Sequence, residues 1–193
     1  MKKVQDHYFR RAQKEGYSAR SAYKLEEIDR RNRLLKKGMR VLDLGCAPGS
    51  WIEYTISRVL PEGSIVGVDL QEVKKPFPPR VHLIQGDIFA LSTETLMGEG
   101  GPFDVIVSDM APKTTGIKSA DAARSAEISR QALILSESLL VPGGSLLVKV
   151  FQGAELPELR KSFGAQFKKV TLEKPKASRS ESVEVFLLGL EKH

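Results

Sequence analysis

The sequence predicts an α/β fold built on a mainly parallel sheet. Three observations carry this. Short apolar runs alternate with helix-spaced segments along most of the chain, the order expected of successive strand–helix–strand units. The strand candidates are continuous apolar runs, as a sheet covered on both faces requires. Aspartates recur at the ends of successive strand candidates, where open α/β sheets bind ligands.

Each element follows in order. Residues 40–45, "RVLDLG", read as a strand ending in glycine, and "GSWIEYTISRVL" (49–60) as a helix closed by Pro61 and Gly63. "SIVGVDL" (64–70) is a second strand, and "KKPFPPR" (74–80) a proline-rich surface loop inside the domain. A third strand lies in 80–88, and a fourth in 103–112 stops at Pro112. Residues 119–140 carry helical periodicity, and Pro142-Gly143-Gly144 predicts a turn. "SLLVKVF" (145–151) is a fifth strand and 155–164 a helix. Strands near 167–173 and 183–190 complete the chain. One domain spanning 1–193 is expected, with a basic N-terminal arm and helix over about 1–37.

Composition bounds the function. One cysteine, Cys46, excludes an internal disulfide and fits a reducing, cytoplasmic setting. No apolar run of about 18 residues exists, so no membrane span is expected. The N-terminus lacks the apolar core of a secretory signal. Residues 1–40 hold 13 Lys/Arg against 5 Asp/Glu, while the other 153 sum to −2. A basic arm on a near-neutral body points to nucleic acid. In "HYFRRAQKEGYSARSAYK" the bases Arg10, Arg11 and Arg20 would meet phosphates. Phe9, Tyr8, Tyr17 and Tyr23 would either stack on unpaired bases or pack a helix onto the body. The histidines His7, His82 and His193 are scattered, so no metal is implied.

The turn "DLGCAPGSW" (43–51) spaces its glycines G-x-x-x-G, with Ala47 where a dinucleotide fingerprint needs glycine. That disfavours a nicotinamide-dependent oxidoreductase, and no G-K-[ST] follows to make a P-loop. A nucleoside without phosphates fits better. Asp69 would hold ribose hydroxyls and Asp87 would reach the base. S-adenosyl-L-methionine, an adenosine carrying a sulfonium and an amine, suits a pocket lined by Asp69, Asp87 and Asp109.

Two charged residues interrupt apolar strands with opposite sign: Lys149 in "LLVKVF" and Glu184 in "SVEVFLLGL". If the last strand runs antiparallel beside strand 5, Glu184 starts next to where Lys149 ends, and Asp109 closes the other neighbour. Ionisable groups gathered at a crevice read as functional, against the alternative of a structural ion pair.

The segments "RSAYKLEEID" (20–29), "DLGCAPGSW", "VGVDL" (66–70), "QGDI" (85–88), "SDMAP" (108–112), "LLVKVFQG" (146–153) and "SRSESVEVFLL" (178–188) resemble the FtsJ-type ribose 2′-O-methyltransferases. The resemblance runs from about Gly16 to the last strand. It implies the class I S-adenosylmethionine-dependent methyltransferase fold, a Rossmann-like sheet of seven mostly parallel strands with helices on both faces, ordered 3-2-1-4-5-7-6 with strand 7 antiparallel. It implies cofactor contacts at Gly49, Trp51, Asp69, Asp87 and Asp109, and a catalytic tetrad of Lys24, Asp109, Lys149 and Glu184. Cys46 departs from the alanine that members often carry. The implied reaction is methylation of a uridine 2′-hydroxyl in large-subunit ribosomal RNA. The alternatives are a transfer-RNA anticodon-loop ribose methyltransferase and, with the tetrad lost, a non-catalytic RNA-binding protein. The expected partner is RNA, in the large ribosomal subunit or its precursor, with no obligate protein partner.

Overall fold

The computed structural model describes residues 2–179 and 181–193, with side chains described from residue 7 onward. Seven strands form one sheet: β1 (Arg40–Leu44), β2 (Ser64–Asp69), β3 (Val81–Gln85), β4 (Phe103–Ser108), β5 (Leu140–Phe151), β6 (Phe167–Glu173) and β7 (Glu184–Lys192). Their order is β3-β2-β1-β4-β5-β7-β6. The first five pair in parallel, and β7 runs antiparallel to both β5 and β6. This is the expected order. The chain starts at the middle strand, walks out to β3 and returns to β4, which places a topological switch between β1 and β4.

The helices are α1 (Lys2–Glu15), α2 (Ala22–Asn32), α3 (Ser50–Val59), α4 (Thr93–Gly98), α5 (Lys118–Leu139) and α6 (Leu156–Gln166). Two apolar cores result, one on each face. Leu25, Ile28, Trp51, Ile52 and Val59 of α2 and α3 pack with Val41, Ile65, Val105, Leu147 and Phe186. On the opposite face, Ala132, Leu135, Leu139, Leu159 and Phe163 of α5 and α6 pack with Leu42, Ile106, Leu146, Val148 and Leu187. Strand side chains alternate between faces, so each apolar run feeds both cores.

Four expectations change in detail. The basic arm is two helices, not one. Gly16 adopts φ 79°, and the Tyr17 N–H donates to the Ala12 carbonyl at 2.9 Å, closing α1 in a left-handed turn. The Pro142-Gly143-Gly144 turn lies inside β5 as an irregularity. Leu140 faces Phe103 and Ser145 faces Val105, so extra β5 residues bulge out between two pairings. Helix α4 was not expected; Ser92 caps it by accepting from the Thr95 N–H at 3.2 Å. Finally, β3 is an edge strand with Leu83 exposed, so its apolar run is not covered on both faces.

Candidate active site and cofactor pocket

The site forms where β4 ends before β5 does. The last pairing of β4 with β5 is Ser108 with Val148, so Lys149–Phe151 lose their β4 partner. Backbone groups left there need other partners. Helix α5 supplies them: Ser129 Oγ donates to the Lys149 carbonyl at 2.9 Å, and Ser125 Oγ accepts from the Phe151 N–H at 3.0 Å. Both serines are buried. Two hydroxyls thus hold the end of β5 rigid while Asp109 turns away from the sheet.

Lys149 is 7% exposed, and its Nζ lies 3.0 Å from Asp109 Oδ1 and donates to the Asp109 carbonyl. The β5–β7 register places Phe151 opposite Glu184 and Lys149 opposite Phe186. Lys24 comes from α2. Its Nζ sits 2.8 Å from Glu184 Oε1 and 3.7 Å from Asp109 Oδ1. The four expected catalytic residues are therefore brought together, with two lysine Nζ atoms and two carboxylates alternating. Burial alone would raise the Glu184 carboxyl, but Lys24 and then Lys149 outweigh it and hold it below the usual glutamate range.

Two aromatic rings aim Lys24. Its Nζ lies 5.7 Å from the Phe186 ring centroid, and Phe186 packs on Trp51 at 5.9 Å. The buried Trp51 donates from Nε1 to the Ser21 carbonyl at 2.9 Å, just before α2. Ser21 Oγ also pairs with Ser50 Oγ at 2.7 Å, and the Ser18 N–H donates to Glu53 Oε2 at 2.7 Å. These bonds fasten the entry to α2 onto the first turns of α3.

Beside the tetrad lies a cavity of about 520 Å³, lined by Gly45, Ala47, Asp69, Asp87 and Asp109 among others. Of the expected cofactor contacts, the three aspartates line it. Gly49 and Trp51 lie outside its lining, with the Trp51 indole engaged by α2 and Phe186 as described. Gly49 holds φ 113°, in the left-handed region that favours glycine, and a Cβ there would meet Phe77 at 2.9 Å. Asp69 shapes the turn after β1: Oδ2 accepts from the Ala47 N–H at 2.9 Å and Oδ1 from the Gln71 N–H at 2.8 Å. Asp87 accepts from the Phe89 N–H at 3.0 Å.

Three contributors have no role assigned from the sequence. The segment Met110–Lys113 forms one wall of the cavity. Asp121 steadies the chain just beyond it, accepting from the Thr115 N–H at 2.8 Å and the Gly116 N–H at 3.1 Å. Asp43, noted only as part of its strand, is 1% exposed and neither carboxylate oxygen has a hydrogen-bond partner. Burial, then Asp109 and Asp69 nearby, push its pKa well above the ordinary value. An aspartate inside an otherwise apolar strand was the available signal. Cys46 is buried, and burial pushes its thiol pKa up, so it stays protonated. Among the described residues, no group of three or more His, Cys, Asp or Glu is placed to hold a metal.

The sequence profile of FtsJ-like methyltransferases matches residues 17–192. The chain belongs to this family. It is 49% identical to the Ribosomal RNA large subunit methyltransferase E of Oleidesulfovibrio alaskensis, over 98% of this chain and 93% of that protein. It is 48% identical to the protein of the same name from Syntrophobacter fumaroxidans, over 97% and 95%. A solved structure from Plasmodium falciparum, described as a ribosomal RNA methyltransferase, superposes with a TM-score of 0.81 at 30% identity, covering 91% of this chain and 98% of that one. The cofactor of this FtsJ-like chain is S-adenosyl-L-methionine. The cavity fits it: its volume is within the range of small-molecule sites, and its carboxylates match the cofactor's cationic centres and ribose hydroxyls. The exposed rings and chains of Phe89 and Leu70 at the cavity offer apolar surface for a purine.

Proposed function

We propose that this FtsJ-like methyltransferase methylates the 2′-hydroxyl of a uridine in large-subunit ribosomal RNA. The observation that carries the reading is the Lys24–Asp109–Lys149–Glu184 cluster at the rim of the aspartate-lined cavity. S-adenosyl-L-methionine supplies an electrophilic methyl group on a sulfonium. The chain's residues must then orient a ribose hydroxyl and take its proton.

Lys149 is the base. A hydroxyl becomes an adequate nucleophile only as its proton leaves, and a lysine accepts that proton only in its neutral form. Asp109 orients the Lys149 amine from 3.0 Å while sharing its charge with Lys24. Lys24 faces negative charge developing on the oxygen. Glu184 fixes Lys24 and receives the substrate ribose. Positioning the hydroxyl against the methyl donor can lower the barrier by up to about 7–11 kcal/mol. Gly49 and Trp51 act on the cofactor site through the shape of the turn after β1 and the seating of α2. Asp69, Asp87 and Asp109 contact the cofactor directly. The basic helices α1 and α2, with Arg10, Arg11 and Arg20, bind the RNA. The names of the relatives from Oleidesulfovibrio and Syntrophobacter support large-subunit RNA as the substrate.

The test is transfer of a labelled methyl group to large-subunit RNA, followed by digestion to nucleosides. The label should appear in 2′-O-methyluridine. Label on a base carbon or nitrogen would sink the ribose assignment.

A further inference from the structure

A second cavity, of about 390 Å³, lies on the outer side of α1 and α2, away from the cofactor. Tyr8, Arg11, Tyr23, Arg30, Arg31 and Lys176 line it, with Glu26 and Glu27 between them. Its walls are α1, α2 and the loop between β6 and β7. Helix α2 carries Lys24, and the loop leads into Glu184 at the start of β7; the two side chains meet at 2.8 Å. Lys24 and Arg31 are seven residues apart on α2, hence on one face about 10 Å from each other along the axis.

A single carboxylate staples the three walls together. Glu27 Oε2 accepts from the Lys176 N–H at 2.7 Å and Oε1 from the Ala177 N–H at 3.0 Å, while the Tyr8 hydroxyl donates to Oε1 at 3.3 Å. Glu27 also pairs with Arg31 at 3.6 Å, and Glu26 with Arg11 at 3.7 Å. Both carboxylates are therefore engaged in building the cavity. Arg11 is also held by Glu15 at 2.8 Å and Arg31 by Glu173 at 3.2 Å, so the cavity's positive charge rests on Arg30 and Lys176. Arg30 and Lys176 are exposed at its mouth. The Arg11 guanidinium lies 4.4 Å over the buried Tyr23 ring, which holds its plane in place. Two exposed cations at the mouth of a hollow whose other charges are matched suit a phosphodiester, since the Arg30 guanidinium can bind phosphate oxygens in pairs and the Lys176 ammonium adds a point charge.

We propose that this cavity binds the phosphodiester backbone of the RNA a few nucleotides from the ribose held at Lys24 and Glu184. The inference rests on the RNA-methyltransferase reading above and adds a docking site to it. A strand leaving the tetrad along α2 passes over Arg31, Arg30 and Lys176. The Glu27 staple keeps the β6–β7 loop at the height that this path needs.

The test uses the full chain with Arg30→Ala/Lys176→Ala. The control is Arg160→Ala/Lys161→Ala, the same charge removal on exposed residues of α6, against the opposite face of the sheet. Binding of undermethylated large-subunit RNA is measured at several salt concentrations, with S-adenosylhomocysteine affinity and melting temperature alongside. The pocket variant should bind RNA about tenfold more weakly and lose roughly one to two units of the log–log salt slope. Its cofactor affinity and melting temperature should match wild type, and the control should change little. Equal losses in the two variants, or none in the pocket variant, would overturn the proposal. So would uridine monophosphate or inorganic phosphate competing as well as RNA, which would make the cavity a small-anion site. If wild type transfers no methyl group yet the pocket variant still loses RNA binding selectively, the reaction assignment fails and the docking site stands.

Discussion

The Lys24 ammonium lies 2.8 Å from the Glu184 carboxylate and joins two parts of the chain that are 160 residues apart. One end rides on α2, the other on the first residue of β7. Both side chains are nearly buried, so the pair is screened far less than a surface ion pair. Its geometry holds the helix against the start of β7.

Breaking that pair should be visible in the Glu184 titration. Its folded-state pKa lies below the unfolded value, so the stabilisation it gives is present above the ordinary glutamate range and disappears as pH falls through the lower folded pKa. Lys24→Met removes the largest opposing charge and leaves burial to act. Carbon-13 NMR of the Glu184 carboxyl should show its pKa rising in the variant. An unchanged titration would mean that Lys24 does not hold the carboxylate ionised.

Lys149→Ala should lower the single-turnover methyl-transfer rate by about 10²–10⁴-fold, the usual cost of removing a general base. S-adenosylhomocysteine affinity should stay within a few-fold of wild type, because Lys149 lies outside the lining of the cofactor cavity. Asp109→Ala should damage both quantities, since Asp109 touches Lys149 and lines the cavity. Calorimetric titration and rapid-quench kinetics measure the two separately.

Asp69→Ala should weaken cofactor binding by about 1–3 kcal/mol. Part of the loss comes from the turn itself, because the Ala47 and Gln71 N–H groups lose their acceptor. Asp69→Asn keeps an acceptor for one of them and should recover part of the affinity. Equal defects in the two variants would show that the charge alone matters.

Asp43 predicts a pH effect of opposite sign to Glu184. Its pKa is raised on folding, so the native state keeps a proton that the unfolded chain gives up. Stability therefore falls as pH rises from the ordinary aspartate range toward the raised folded value. Asp43→Asn removes this group, and its melting temperature should decline less across that window than wild type's. Parallel curves from scanning calorimetry would contradict the buried, protonated assignment.

Much of the fold was legible because strand runs and aspartates recur in a fixed rhythm. Lys149 and Glu184 stood out as charges in apolar strands, and their pairing followed once the last strand was set antiparallel. Other features depended on contacts that no local pattern encodes. Whether Tyr8, Tyr17 and Tyr23 stack on RNA or on protein was open in the sequence. In the structure they pack against one another, with ring centroids 5.5 and 5.7 Å apart, while Phe9 faces outward. Trp51 sits in a cofactor motif, and its indole also meets the Ser21 carbonyl and the Phe186 ring, contacts that no local pattern announces. The Glu27 staple links residues about 150 positions apart, beyond any periodicity. The bulge in β5 was read as a turn because proline and two glycines punctuate both.

The most direct test of the central claim is a map of 2′-O-methyl groups on RNA from cells with and without this chain, completed by adding back wild type or Lys149→Ala. Loss of one 2′-O-methyluridine from large-subunit RNA, restored by wild type and not by Lys149→Ala, is the predicted result. Loss confined to a transfer-RNA anticodon loop, or restoration by Lys149→Ala, would contradict it.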